Sequence, residues 1–217
     1  MPFLYFMDNR EREKILFQFV CEELSADNSG HDHLHAMRVV TNARLLLEKE
    51  GGDESIIIAA CYLHDCIDKK LFENLPLQKE KIIRLLQSLD YTKEQQDAIL
   101  YIMENISFSS GKSKDLTNIN ARIVCDADRL DAIGAIGIIR TIEFGASRGR
   151  KFYNQDEVNK SDVSSYSKET TLAHFYDKLL LLKDLMFTDT AKRIAEKRSA
   201  FMVSFLDEFY EEVMCYY

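Results

Sequence analysis

Apolar residues along this 217-residue chain recur mostly at spacings of three and four, the period of an amphipathic helix. Only Pro2 and Pro76 interrupt the backbone as helix breakers. The pattern predicts an all-α fold with helices over about 11–25, 33–50, 53–68, 77–90, 92–105, 118–145, 168–186 and 188–214. Several ends carry their own signals. Gly51-Gly52 close one helix and Asp53 is placed to cap the next, while Thr92 with Gln95 has the spacing of a capping box. Two stretches, 107–117 and 145–167, lack helical periodicity, and connections of that length in a compact domain are usually functional covers or mobile segments. No internal repeat or low-complexity tract is present.

A chain of 25.2 kDa is long enough for one well-buried core and short for two, so a single domain over 1–217 is expected, with a main core over about 30–145 and a C-terminal helical part over about 165–217. Apolar residues at 46% and charged residues at 29% exclude a disordered or fibrous chain. The net charge of -8 argues against a nucleic-acid polymer as partner, because phosphate backbones need a basic face. A small anion is still accessible, since a metal ion or a few local cations invert the field within one pocket. The cysteines at 21, 61, 66, 125 and 215 form no CxxC pair and are odd in number, which suggests free thiols in a reducing compartment. Neither a basic-then-apolar leader nor an apolar run of membrane-spanning length is seen, so a cytoplasmic protein without membrane contact is expected.

Three stretches break the apolar pattern with histidine and aspartate: "GHDHLHAMRVV" (30–40), "AACYLHDCID" (59–68) and "VCDADRLDAIGAIG" (124–137). In the second, Ile57, Ala60, Leu63 and Ile67 trace an inward stripe, and His64 and Asp65 lie beside it. A buried unpaired carboxylate is costly, and a divalent cation removes that cost by supplying the opposite charge at bonding distance. Imidazole with carboxylate suits Mn, Fe, Co, Ni or Zn. The alternative is structural: His64 hydrogen-bonds a neighbouring helix and Asp65 pairs with an arginine such as Arg38 or Arg129. Cys61 and Cys66 read as small buried hydrophobes.

The order His, His-Asp, Asp, as His35, His64-Asp65 and Asp128, resembles the HD-domain superfamily of metal-dependent phosphohydrolases, an all-helical bundle with a metal between its helices. The words "HDHLHAMRVV", "LHDCID", "DADRLDAIGAIG", "GASRGR" and "TTLAHFYDKLLLLKDLM" are similar to a bacterial branch of it, and the resemblance runs from about residue 30 to the C-terminus. It implies His35, His64, Asp65 and Asp128 as ligands of one divalent transition metal, with Mn favoured over Ni, Co, Fe or Zn. It leaves His31 and Asp131 to support the ligands, and makes Asp68 the general acid or base that handles the attacking water. Arg148, Arg150, Lys178 and His174 are candidates for the substrate phosphates, and Lys112 and Lys114 are weaker ones.

The function so implied is hydrolysis of a small phosphorylated substrate, a nucleotide, with triphosphate cleaved to monophosphate and pyrophosphate. Hydrolysis of a signalling nucleotide is the second reading, weakened because Lys69 stands where the alarmone hydrolases carry the second acid of a pair. From other classes come a regulatory module that holds nucleotide and metal without turnover, and a di-iron oxygenase, which would want more histidines than the five present. The aromatic, Leu and Met stripes of the last two helices are packing, and the last leaves a homodimer open.

Overall fold

The computed structural model describes residues 7–25, 32–69, 71–106, 116–158 and 170–214, and every regular element among them is helical. They fall into two compact units that divide after Ala127.

The first unit is organised by its most apolar helix. Helix α3 (Glu54–Leu63) is buried at every position from Ile56 to Leu63, because an all-round apolar helix is stable only when other helices surround it. Helices α1 (Asn9–Glu23), α2 (His33–Glu50) and α5 (Lys93–Asn105) all pack on it, and α4 (Leu75–Ser88) lies against α5. Helix α2 is amphipathic instead. Its inward stripe of Ala36, Val39, Val40, Ala43 and Leu46 also carries His35 and Asn42. The caps expected from the sequence form: Asp53 accepts from the Ile56 N–H at 3.2 Å, Gly51 ends α2 at φ +73°, and Thr92 and Gln95 exchange both bonds of a capping box.

One difference from the sequence expectation shapes the site. The expected single helix over 53–68 stops being α-helical at Leu63, and residues His64–Ile67 form a 3₁₀ turn. Asp68 then turns extended, at φ −73° and ψ 122°.

The second unit holds the end of α6 (Ile119–Asp131), α7 (Gly134–Ser147), the short α8 (Gln155–Val158), α9 (Thr171–Asp177), a 3₁₀ segment (Leu179–Leu185) and α10 (Asp189–Met214). Helix α10 packs against α7, α8 and the 3₁₀ segment along a stripe of Thr190, Ala191, Ala195, Ser199, Met202 and Leu206. The expected helix over 118–145 is broken. Ile133 is extended and Gly134 takes φ +80°, a left-handed conformation that glycine adopts without cost. Gly137 then passes so close to the Ala132 carbonyl that a Cβ would sit 2.3 Å from its oxygen. The helix expected over 168–186 is also broken, at Lys178 (φ −138°, ψ −59°). Helix α8 was not foreseen within the aperiodic 145–167 stretch.

Candidate metal centre

The buried polar group of the first unit is built by α2 and the turn that ends α3. His35 sits in the first turn of α2, where Asp32 caps the helix by accepting from the His35 N–H at 2.9 Å. His64 and Asp65 open the 3₁₀ turn, and His35, His64 and Asp65 are all buried. The Nε2 atoms of His35 and His64 lie 3.2 Å apart. The Asp65 carboxylate lies 3.5 Å from the first and 3.4 Å from the second, measured to the nearer oxygen. The three residues are a group that can hold a metal ion.

Two further observations fit an ion to them. The His64 ring donates from Nδ1 to the Cys61 carbonyl at 2.8 Å, since a carbonyl only accepts. In neutral His64 the lone pair therefore stands on Nε2, the atom that faces His35 and Asp65. The second observation is size. The two Nε2 atoms stand 3.2 Å apart with one Asp65 oxygen near each, close enough for one ion about 2.0–2.1 Å from both nitrogens, the usual zinc-to-imidazole length. The 3₁₀ turn places both residues of the doublet in this group while α3 stays apolar beneath them.

The other residues singled out in the sequence are distributed as follows. Asp128 is half-buried on α6 and is the first α6 residue of the second unit. The preceding residue, Ala127, accepts from the Asn42 side chain at 3.1 Å, one hydrogen bond that ties α6 to the His35-bearing helix. Asp68 is half-buried and held by backbone bonds: its N–H donates to the Asp65 carbonyl at 3.0 Å, and its own carbonyl accepts from Leu71 and Phe72. Asp68 was expected to end the helix over 53–68, but it lies beyond the 3₁₀ turn that follows α3. Buried Asp131 accepts from half-buried Arg140 at 2.6 Å, a partner that sequence spacing did not indicate. His31, Lys112 and Lys114 lie outside the described residues.

The four described cysteines carry free thiols. Burial, with Asp65 and then Glu23 adding, pushes the Cys66 thiol up, so it stays neutral and behaves as a small hydrophobe.

In the second unit the substrate candidates form a cationic group. Arg148 and Arg150 are exposed, with guanidinium carbons 5.3 and 5.8 Å from the Phe144 ring centroid. His174 in α9 and Lys178, the residue that ends it, are both half-buried, and the Lys178 N–H donates to the His174 carbonyl at 3.2 Å. Burial, then Lys178 and Arg150, lower the His174 pKa, while Asp177 opposes them. The structure thus brings Arg150, Lys178 and His174 into one field. Among the described residues, no helix is long and apolar enough to cross a membrane.

Comparison with known proteins gives the chain's family and fold. The HD domain family model matches residues 33–133. An uncharacterised Bacillus subtilis protein, YpgQ, is 38% identical over 192 residues, 88% of either chain. Its crystal structure in complex with ADP superposes with a TM-score of 0.76 at 33% identity, covering 93% of this chain and 97% of that one. An HD-superfamily hydrolase from Bacillus thuringiensis gives 0.76 at 36% identity, covering 94% and 98%.

Proposed function

The chain belongs to the HD-domain family, and from that premise we propose that it is a metal-dependent phosphohydrolase whose substrate is a nucleotide, cleaving a triphosphate to monophosphate and pyrophosphate. The hydrolase class is supported by the likeness to an HD-superfamily hydrolase, and a nucleotide by the relative crystallised with ADP. The observation that carries the reading is the His64 ring, whose Nδ1–H on the Cys61 carbonyl leaves Nε2 as a ready ligand beside His35 Nε2 and Asp65. Asp128 completes the ligand set in this reading, giving two imidazoles and two carboxylates, and Mn is the favoured ion among Mn, Ni, Co, Fe and Zn.

When bound, such an ion makes a water nucleophilic near neutral pH and stabilises negative charge on a phosphoryl oxygen. The chain's own residues do the rest. Asp68 takes the proton from the attacking water, and the backbone bonds on both sides of it hold it in place. Water adds to the α-phosphorus, the bond from that phosphorus to the α–β bridging oxygen breaks, and pyrophosphate leaves with that oxygen. Arg148, Arg150 and Lys178 neutralise the polyphosphate, Arg by paired donors and Lys as a point charge. Neutral His174 adds a hydrogen bond without another charge.

The test is to strip the protein of metal and assay Mn, Co, Ni and Mg against a panel of nucleotides, measuring phosphate and pyrophosphate separately. Metal-dependent release of pyrophosphate and monophosphate in equal amounts is the expected result. Phosphate released from monophosphates, with no pyrophosphate from triphosphates, replaces this reading with a nucleotidase; binding of nucleotide and metal without turnover replaces it with a regulatory module.

A further inference from the structure

The second unit contains a buried carboxylate that none of these steps uses. Glu157, on α8, is 2% exposed. One of its oxygens accepts from the Asn154 backbone N–H at 2.8 Å, and the other accepts from the Thr170 hydroxyl at 2.9 Å. Burying a carboxylate is costly, and an apolar residue would fill the same space without that cost. What the carboxylate achieves is a bridge between two stretches 13 residues apart in sequence.

Those two stretches carry the cationic group. Asn154 ends the segment that follows Arg148 and Arg150. Thr170 caps α9, accepting from the Ala173 N–H at 3.2 Å, and His174 projects from that first turn. The segments also meet through their backbones: Thr171 N–H donates to the Lys151 carbonyl at 3.0 Å, and Leu172 N–H to the Phe152 carbonyl at 2.8 Å. Helix α7 also packs closely on the start of α9, since a Cβ on Gly145 would stand 2.1 Å from the Thr171 hydroxyl. The Lys151–Thr171 bond sets the residue that follows Arg150 against the first residue of α9.

We propose that Glu157 is a positioning residue: by bridging Asn154 and Thr170 it holds Arg150 beside His174 and Lys178, and so shapes the cationic group that receives the substrate's phosphates. The bridge itself stands on the hydrogen bonds; its role toward phosphate rests on the phosphohydrolase reading above.

The test uses the full chain loaded with Mn, and inorganic tripolyphosphate as the probe. Glu157→Gln keeps the shape but removes the charge: its amide oxygen can serve only one of the two donors, and at the other the Thr170 hydroxyl must reverse from donor to acceptor, so both bonds of the bridge are weakened. Tripolyphosphate should bind about tenfold more weakly, roughly the loss of one charge-assisted contact. The His174 imidazole, followed by NMR, should titrate at higher pH as Arg150 moves away, while bound metal is unchanged. Thr170→Val should reproduce both effects more mildly, and serves if Glu157→Gln does not fold; Thr170→Ser, which keeps the hydroxyl, should restore them. In an Arg150→Ala background, Glu157→Gln should weaken binding no further. A folded Glu157→Gln protein with unchanged His174 titration and tripolyphosphate affinity overturns the proposal, as does full additivity with Arg150→Ala. If tripolyphosphate fails to bind even the unmodified protein while the His174 shift is seen, the phosphate reading falls and the bridge stands.

Discussion

In the first unit, His35, His64 and Asp65 are buried among helices whose inward residues are mainly aliphatic, whereas in the second, Arg148 and Arg150 stand exposed and His174 and Lys178 are half-buried. The difference follows from what each group must do. A metal site needs a few donors in fixed geometry in a low-dielectric surrounding, which a rigid apolar helix and a tight 3₁₀ turn provide. A phosphate-binding group needs mobile cations that keep their hydration until the substrate arrives, and such residues sit on turns and short helices. Substitutions in the first region should therefore act on metal content and rate, and those in the second on substrate affinity.

The largest effect belongs to the buried group. His35→Ala, His64→Ala or Asp65→Ala, and by the same reading Asp128→Ala, should each lose bound metal by elemental analysis and lower turnover by about 10³-fold or more, the loss of several kcal/mol of transition-state stabilisation. Equal retention of metal across all four would erase the distinction between the two regions.

Asp68→Asn comes next. It keeps the side-chain shape and removes the proton acceptor, so metal content should survive while turnover falls by about 10²–10⁴. Normal turnover would reduce Asp68 to a solvated residue at the end of a turn, and loss of metal would make it a ligand.

Smaller again is Arg150→Ala or Lys178→Ala, which should raise the KM for a triphosphate about 10-fold or somewhat more while kcat and metal content hold, because one charge-assisted contact is lost. A fall in kcat with unchanged KM would place these residues in the chemistry instead.

The smallest effect is in pH. Because the folded pKa of His174 lies below the ordinary value of 6.5, the unfolded chain binds the proton more readily. The stability this contributes is fully present above pH 6.5 and is lost as pH falls through the folded value. Urea unfolding between pH 7 and pH 5 should show a downward slope that His174→Gln flattens. An unchanged slope would mean that burial, Lys178 and Arg150 together do not lower the ring's pKa.

How much of this was legible in the sequence depended on whether the signal was local. The His64-Asp65 doublet announced itself by breaking an apolar helical run, whereas His35 stood out from the other histidines of 30–40 only through the resemblance to the HD superfamily. The caps at Asp53 and Thr92 were legible from local residues alone. The change from α-helix to 3₁₀ at His64 was not, since both helix types bury the same residue types and only the chain's path tells them apart. The breaks at Gly134 and Lys178 fell inside runs whose apolar spacing continued across them. Arg140 on Asp131 and Glu157 on Thr170 are contacts between residues whose spacing marks no shared helix face, so neither pairing could be read from the sequence.

The central claim is that His35, His64 and Asp65 hold one divalent ion. Anomalous diffraction from crystals grown with Mn tests it most directly. The account predicts a single strong peak about 2.0–2.2 Å from both Nε2 atoms and an Asp65 oxygen, with an Asp128 oxygen as a further ligand. A peak held by other residues, or no peak among these three in fully Mn-loaded protein, would contradict it.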